Sequence, residues 1–238
     1  VLQRNGLIPV WGWADKNEKI EVRFNNQVKS VKAGKNGKWL IRLDAENAGG
    51  PYDMTIKGKN TVQIRNILVG EVWICSGQSN MEWPMVKEQH WKDEIHSAEQ
   101  SNIRLLNPPP AGRNVFGVPY TDSLISRLTT ERFYDWNGWQ QCDSISVRLM
   151  SAVAYYFAKK VFSETGVPIG IINLSIGGAP LETFISTEAL SQQVTFRKKV
   201  NGNWLSNDAL PIWIRERGTQ NVGKNNNVPA DEQGPNHA

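Results

Sequence analysis

The segment Val69-Gly70-Glu71-Val72-Trp73-Ile74-Cys75 is apolar on both faces of an extended chain. Successive side chains of a strand point to opposite sides, so this segment belongs inside a sheet covered on both faces, as in α/β proteins with central parallel strands. Small and polar residues follow at once, Ser76-Gly77-Gln78-Ser79-Asn80, and Pro84 limits where a helix can start. A strand running into such a turn holds the Ser79 hydroxyl at the carboxyl edge of the sheet, where open α/β sheets bind ligands. Gly77 keeps the approach to Ser79 free of a side chain. Taken alone, a Gly-Gln-Ser-Asn turn is a weak signal, because any short polar turn looks the same.

The residues before this strand read differently. Ile20-Glu21-Val22-Arg23-Phe24 alternates apolar and polar up to the turn at Asn25-Asn26. Trp39-Leu40-Ile41-Arg42-Leu43 follows Asn36-Gly37, and Tyr52-Asp53-Met54-Thr55-Ile56 follows Gly49-Gly50-Pro51. Short, evenly spaced strands with turn residues between them predict a small β-sandwich over residues 1–68, with Trp11, Trp13 and Trp39 in its core. Residues 69–219 are expected to form an α/β domain. Ile103-Arg104-Leu105-Leu106 reads as a strand stopped by Pro108-Pro109-Pro110, and residues 111–139 as mostly loop. Apolar residues at threes and fours (Val147, Met150, Val153, Ala154, Phe157, Val161, Phe162) predict a helix over 146–165, stopped by Gly166 with Pro168 beyond. Ile169-Gly170-Ile171-Ile172-Asn173-Leu174 is then a short buried strand. Residues 220–238, rich in Asn, Gly, Pro and Gln, read as a polar linker or long loop.

That second buried strand also ends in glycines, Gly177-Gly178, ahead of Pro180-Leu181-Glu182. Backbone N–H groups at the start of a helix have no partner within it, and paired glycines let a substrate approach them, which is how an oxyanion hole is built. An ordinary strand-to-helix turn has the same residues. The net charge of +4 is scattered and paired with nearby acids, as in Lys16-Asn17-Glu18-Lys19, with no basic stripe for a nucleic acid. No stretch of eighteen apolar residues is present, so no membrane insertion is expected. The two cysteines, Cys75 and Cys142, cannot make a disulfide scaffold, and Cys75 reads as a small buried hydrophobe. Cysteine, histidine and carboxylate do not cluster at ligand spacing, so neither a metal nor another cofactor is expected. The chain starts at Val1 in mid-phrase, which implies a removed signal peptide or a trimmed sequence.

The stretch from Gly70 to Trp83, Gly-Glu-Val-Trp-Ile-Cys-Ser-Gly-Gln-Ser-Asn-Met-Glu-Trp, resembles the nucleophile block of the sialate O-acetylesterase family within the SGNH hydrolases. Val167-Pro168-Ile169-Gly170-Ile171-Ile172-Asn173 through Gly177-Gly178-Ala179-Pro180-Leu181-Glu182-Thr183-Phe184 is similar to its second block. Val1-Leu2-Gln3-Arg4 and Pro9-Val10-Trp11-Gly12 are similar to its amino-terminal β-sandwich. The resemblance spans residues 1–190 and is weakest over 85–140. It implies a flavodoxin-like three-layer α/β/α domain preceded by the sandwich, and removal of O-acetyl groups from sugars, sialic acid first among them. It implies Ser79 as nucleophile and as one oxyanion donor through its own N–H, with Gly177, then Gly178, as the second-block donor. It also implies a periplasmic or secreted protein.

The chain departs from the family in lacking the later Gly-Glu-Ser-type block and the Asp-x-x-His block that supplies the base. Its three histidines are His90, His96 and His237. Asp93-x-x-His96 has the right spacing but follows the nucleophile too soon, and a surface histidine is the commoner role. His237 sits in polar surroundings and reads as a linker residue. A serine without a base is a poor nucleophile, so the polypeptide is expected to be incomplete, the Asp and His coming from a second chain or a carboxyl-terminal segment. Trp83, with Gln78 and Asn80, is a candidate contact for the sugar, although tryptophan more often packs in a core. The alternative is a non-catalytic carbohydrate-binding protein that keeps the fold and lacks the base.

Overall fold

The computed structural model describes residues 1–113, 118–129 and 131–223. The chain begins with β1 (Leu2–Gln3), β2 (Ile8–Trp13), β3 (Lys19–Phe24), β4 (Gln27–Lys32), β5 (Lys38–Leu43) and β6 (Gly49–Lys57). β2 and β5 form an antiparallel pair that packs on the sheet containing β3 and β6. The core between them holds Ile8, Val10, Ile20, Val22, Phe24, Ile41, Leu43, Met54 and Val69. Each such side chain contributes about 1.5–3 kcal/mol when fully removed from water. Of the three tryptophans expected in this core, only Trp39 enters it, at 8% exposure; Trp11 and Trp13 lie outside at 64% and 72%. The pleat explains the division. Ile8 and Val10 take the inward positions of β2, so Trp11 and Trp13 face out. Gly12 leaves room for the Trp39 indole: a Cβ there would lie 2.9 Å from the ring.

β7 (Thr61–Cys75) is fifteen residues long and belongs to both halves of the molecule. Its first part pairs antiparallel with β6. Its last five residues pair parallel with β10 (Ile169–Asn173), from Glu71 opposite Ile169 to Cys75 opposite Asn173. β8 (Gln100–Leu106) lies parallel on the far side of β10, and β9 (Gln140–Cys142) antiparallel on β8. The order is β4-β3-β6-β7-β10-β8-β9, with β1 parallel to β7 at Val69 and Gly70. The boundary expected at residue 68 therefore falls inside a continuous strand.

Three short helices, α1 (Ser79–Glu82), α2 (Trp91–Glu94) and α3 (Asp122–Ile125), and the longer α4 (Ala152–Thr165) connect these strands. α4 covers one face of the parallel strands, with Ala154, Tyr155 and Ala158 against Cys75, Ile103, Leu105, Ile169 and Ile171. It ends at Gly166, in the left-handed region at φ 66°, where the sequence put its stop. It starts later than expected. Residues 146–149 are a separate 3-10 turn, and Met150 is extended. Met150 accepts from the Met85 N–H and the Ala152 N–H donates to Trp83, so bridging to the segment after α1 outweighs the helical periodicity. Ser151 then caps α4 by accepting from the Ala154 N–H.

α5 (Thr187–Gln192), α6 (Val194–Arg197) and α7 (Ile212–Val222) complete the described residues. Trp204, Leu210, Ile214 and Val222 form a third core with Ala111, Tyr120 and Leu128. Residues 220–222, expected in a linker, are the last turn of α7, and Val222 is buried. The rest of that expected linker, from 224 and including His237, lies outside the described residues. Cys75 and Cys142 are both buried free thiols, and burial pushes the Cys142 thiol up to about 12.

Candidate active site

Ser79 opens α1 directly beyond the end of β7, and its side chain is exposed. The β7–β10 ladder continues past both strands. The Leu174 N–H donates to the Cys75 carbonyl at 2.8 Å and the Ile176 N–H to the Gly77 carbonyl at 2.9 Å. This pairing carries the two glycine-bearing turns to the same edge of the sheet. A Cβ built on Gly177 would sit 3.9 Å from the Ser79 Cα. Gln78, placed by the sequence among the substrate contacts, ties the turns together: its Nε2 donates to the Ala179 carbonyl at 3.2 Å. Gly77 has φ +150°, a conformation that side-chain-bearing residues rarely adopt, and a Cβ there would lie 3.0 Å from that of Met81, a tight contact.

The Gly177 N–H is occupied. It donates to Glu82 Oε2 at 2.8 Å, while Glu82 Oε1 accepts from Arg113 at 2.8 Å. Sequence reasoning passed over Glu82, although it lies within the quoted block. Its signal was the spacing: three residues after Ser79 on a one-turn helix, it sits on the same face as the serine. No atom stands within 4 Å of the position a Cβ would take on Gly178. Below this edge Asn173 and Ser175 are buried. Ser175 Oγ donates to Asn173 Oδ1 at 2.6 Å, Asn173 Nδ2 donates to Asn107 Oδ1 at 2.9 Å, and Asn107 Nδ2 donates to the Leu149 carbonyl at 2.8 Å. Buried polar groups are costly unless paired, so this chain of bonds helps fix where β10 ends and the second turn begins.

Trp83 is half exposed, its Nε1 donating to the Lys87 carbonyl at 3.2 Å and the Lys87 ammonium 5.6 Å from its ring centre. Asn80 is exposed. His90 precedes α2 and His96 lies in the 3-10 turn after it, both exposed. Among the described residues the Ser79 hydroxyl has no hydrogen-bond partner, and neither histidine is bonded to it. A separate cavity of about 540 Å³ lies where the amino-terminal sheets meet the parallel strands, lined by Trp11, Met54, Ile64, Arg104 and Trp139 among others; it contains neither turn. Among the described residues no helix is long and apolar enough to cross a membrane.

Two neighbouring parallel strands that end in turns at one sheet edge are an α/β arrangement consistent with an SGNH-type fold, and a solved structure supports it. A carbohydrate acetylesterase from Xanthomonas citri matches with a TM-score of 0.69 and 33% identity, over 81% of this chain and 41% of that one. Among curated proteins, the sialate O-acetylesterases of Pongo abelii and Homo sapiens are each 28% identical over 196 residues, 76% of this chain and 36% of theirs. That of Mus musculus is 25% identical over 76% of this chain and 34% of its own. No family model matches the chain. The chain is a relative of the sialate O-acetylesterases, and it spans about a third of the length of the curated relatives it matches.

Proposed function

We propose that this polypeptide is the nucleophile-bearing part of a carbohydrate esterase that removes O-acetyl groups, with O-acetylated sialic acid as substrate. The observation that carries the reading is the juxtaposition of Ser79 with the Gly177-Gly178 turn across the β7–β10 ladder. Ser79 Oγ attacks the acetyl carbonyl, and its proton passes to a histidine supplied from outside residues 1–238. The tetrahedral oxyanion is held by the N–H groups of Ser79 and of Gly177 or Gly178. Each well-placed donor is worth about 3 kcal/mol in the transition state. Collapse expels the sugar hydroxyl and leaves an acetyl-enzyme, which water then hydrolyses. For Gly177 to serve, the Glu82 carboxylate has to leave its N–H; Gly178 has open space in front of it. Trp83 and Asn80 border the sugar, and Gln78 acts by holding the turns together. The two-sheet unit of residues 1–68 is a scaffold without a chemical role, and the protein works in the periplasm or outside the cell.

The test is acetate release from O-acetylated sialic acid by the gene product. Release that matches or exceeds that from O-acetylated xylose supports the substrate assignment. Release from the xylose ester alone overturns it.

A further inference from the structure

β8 carries a charge into the interior. Ile103 and Leu105 point into the core under α4. Arg104, between them, takes the other face of the sheet, because successive side chains of a strand alternate. It stands opposite Gly170 of β10 on one side and Gln141 of β9 on the other. Gly170 leaves this row open: a Cβ there would lie 3.1 Å from Cη2 of Trp139, whose ring takes the space. Arg104, Gln141 and Trp139 form part of the wall of the 540 Å³ cavity, and the rest is mainly apolar, with Val10, Met54 and Trp11 from the amino-terminal sheets. Arg104 is only 6% exposed. Its Nη1 donates to the Ser101 carbonyl and, at 3.4 Å, to that of Ile103, and its Nη2 donates to Asn66 Oδ1 at 2.9 Å. All three acceptors are neutral, and Arg104 has no ion pair among the described residues. Arg65, also in the wall, donates to Gln63 Oε1 at 3.0 Å, again a neutral acceptor. The Asp53 carboxylate accepts from the Asn66 N–H at 3.3 Å and is not part of the wall. Two guanidinium groups and, among the described residues, no carboxylate therefore line the cavity. A buried charge is costly until an opposite charge pairs with it.

We propose that this cavity is a second binding site, separate from the Ser79 turn, for a small organic acid: one carboxylate on a compact apolar or aromatic body. The carboxylate pairs with the Arg104 guanidinium, whose planar fork matches it through parallel N–H···O bonds, and Arg65 adds a second charge nearer the solvent. The body lies against Met54 and Val10, with the Trp11 and Trp139 rings beside it. The volume falls within the roughly 300–1,000 Å³ of small-molecule sites, which are apolar with a few convergent polar groups. An acidic sugar fits less well, because its hydroxyls would be left without partners against this wall. The site stands independently of the esterase reading.

The experiment is isothermal titration calorimetry of the gene product at pH 7 with 3-phenylpropionate, its uncharged amide 3-phenylpropanamide, and N-acetylneuraminate. The expected result is saturable one-to-one binding of 3-phenylpropionate, tighter than the amide by about tenfold or more, as for a hydrogen bond to a charged group. Arg104→Gln removes that preference. Because Arg104 is buried and its loss can disturb folding, two variants at exposed positions, Arg65→Gln and Trp11→Ser, are titrated as well. Each weakens 3-phenylpropionate by about threefold or more while the melting temperature of the unliganded protein stays unchanged. Equal affinity for the acid and the amide overturns the proposal, as does the absence of saturable binding, which would leave Arg104 with its bonds to Ser101, Ile103 and Asn66 as its whole role. Tighter binding of N-acetylneuraminate than of 3-phenylpropionate overturns the ligand class. Affinity indifferent to both Arg65→Gln and Trp11→Ser places the acid elsewhere, and a fall in affinity in Ser79→Ala places it at the Ser79 turn; either overturns the site.

Discussion

Replacing Gly70 by alanine tests the one-strand connection between the two halves of the molecule. A Cβ on residue 70 would lie 1.9 Å from the Pro168 carbonyl oxygen, 2.7 Å from its carbon and 3.0 Å from its Cβ. These are mostly backbone atoms at the entry to β10, with no flexible side chain to swing aside. Relief requires a shift of about 1.5 Å between the strands to regain ordinary contact distance. That carbonyl also accepts the Glu71 N–H at 2.9 Å, the first bond of the β7–β10 ladder. Overpacking of this kind costs about 1–3 kcal/mol, and a lost backbone hydrogen bond adds about 1 kcal/mol. Together they amount to about 3 kcal/mol, which for a chain of this length lowers the melting temperature by roughly 10 °C. The assay is thermal unfolding followed by circular dichroism, beside Gly6→Ala, whose Cβ would meet nothing nearer than 4.0 Å. A Gly70→Ala variant melting within about 2 °C of the parent would refute the packing argument.

Trp39→Ala empties the core between the amino-terminal sheets and costs about 3–5 kcal/mol, whereas Trp11→Ser on the outer face of β2 stays within about 0.5 kcal/mol; denaturant melts of both variants check the contrast. Glu82→Gln exchanges a charge-assisted hydrogen bond to the Gly177 N–H for a neutral one, roughly half as strong. Weakening that competing bond raises kcat/KM toward an acetyl ester by roughly fivefold if Gly177 holds the oxyanion. A tenfold fall with unchanged melting would instead make Glu82 part of the working site. Hydrogen bonds from Gln3 and Arg4 to Glu71 hold that carboxyl below its ordinary 4.5, so its contribution to stability is present above 4.5 and is lost as pH falls through the depressed value. In Glu71→Gln the loss of stability between pH 5 and pH 3 is therefore shallower than in the parent, as acid titrations of unfolding will show.

Much of the candidate site was legible because it rests on short-range rules. An apolar run followed by glycine and serine places a turn at a sheet edge, and the two turns share that edge because their strands are neighbours. The stop of α4 at Gly166 follows from local backbone conformation. What escaped the sequence depends on long-range contact. The outward faces of Trp11 and Trp13 follow from strand register, which a high tryptophan content obscures. The break at Met150 arises because its carbonyl bonds to Met85, sixty-five residues earlier in the chain. The capture of the Gly177 N–H by Glu82 needs both turns already in place. The exposure of Ile74 reverses the expectation drawn from its own strand, since local pattern specifies burial without specifying what supplies the cover.

The central claim is that Ser79 is acylated. The direct measurement is mass spectrometry of the peptide containing Ser79 after rapid acid quench of the complete gene product with p-nitrophenyl acetate, run beside Ser79→Ala. The account predicts one acetyl group on Ser79 during turnover, and neither acetylation of that peptide nor acetate release in the variant. Undiminished acetate release by Ser79→Ala would contradict it.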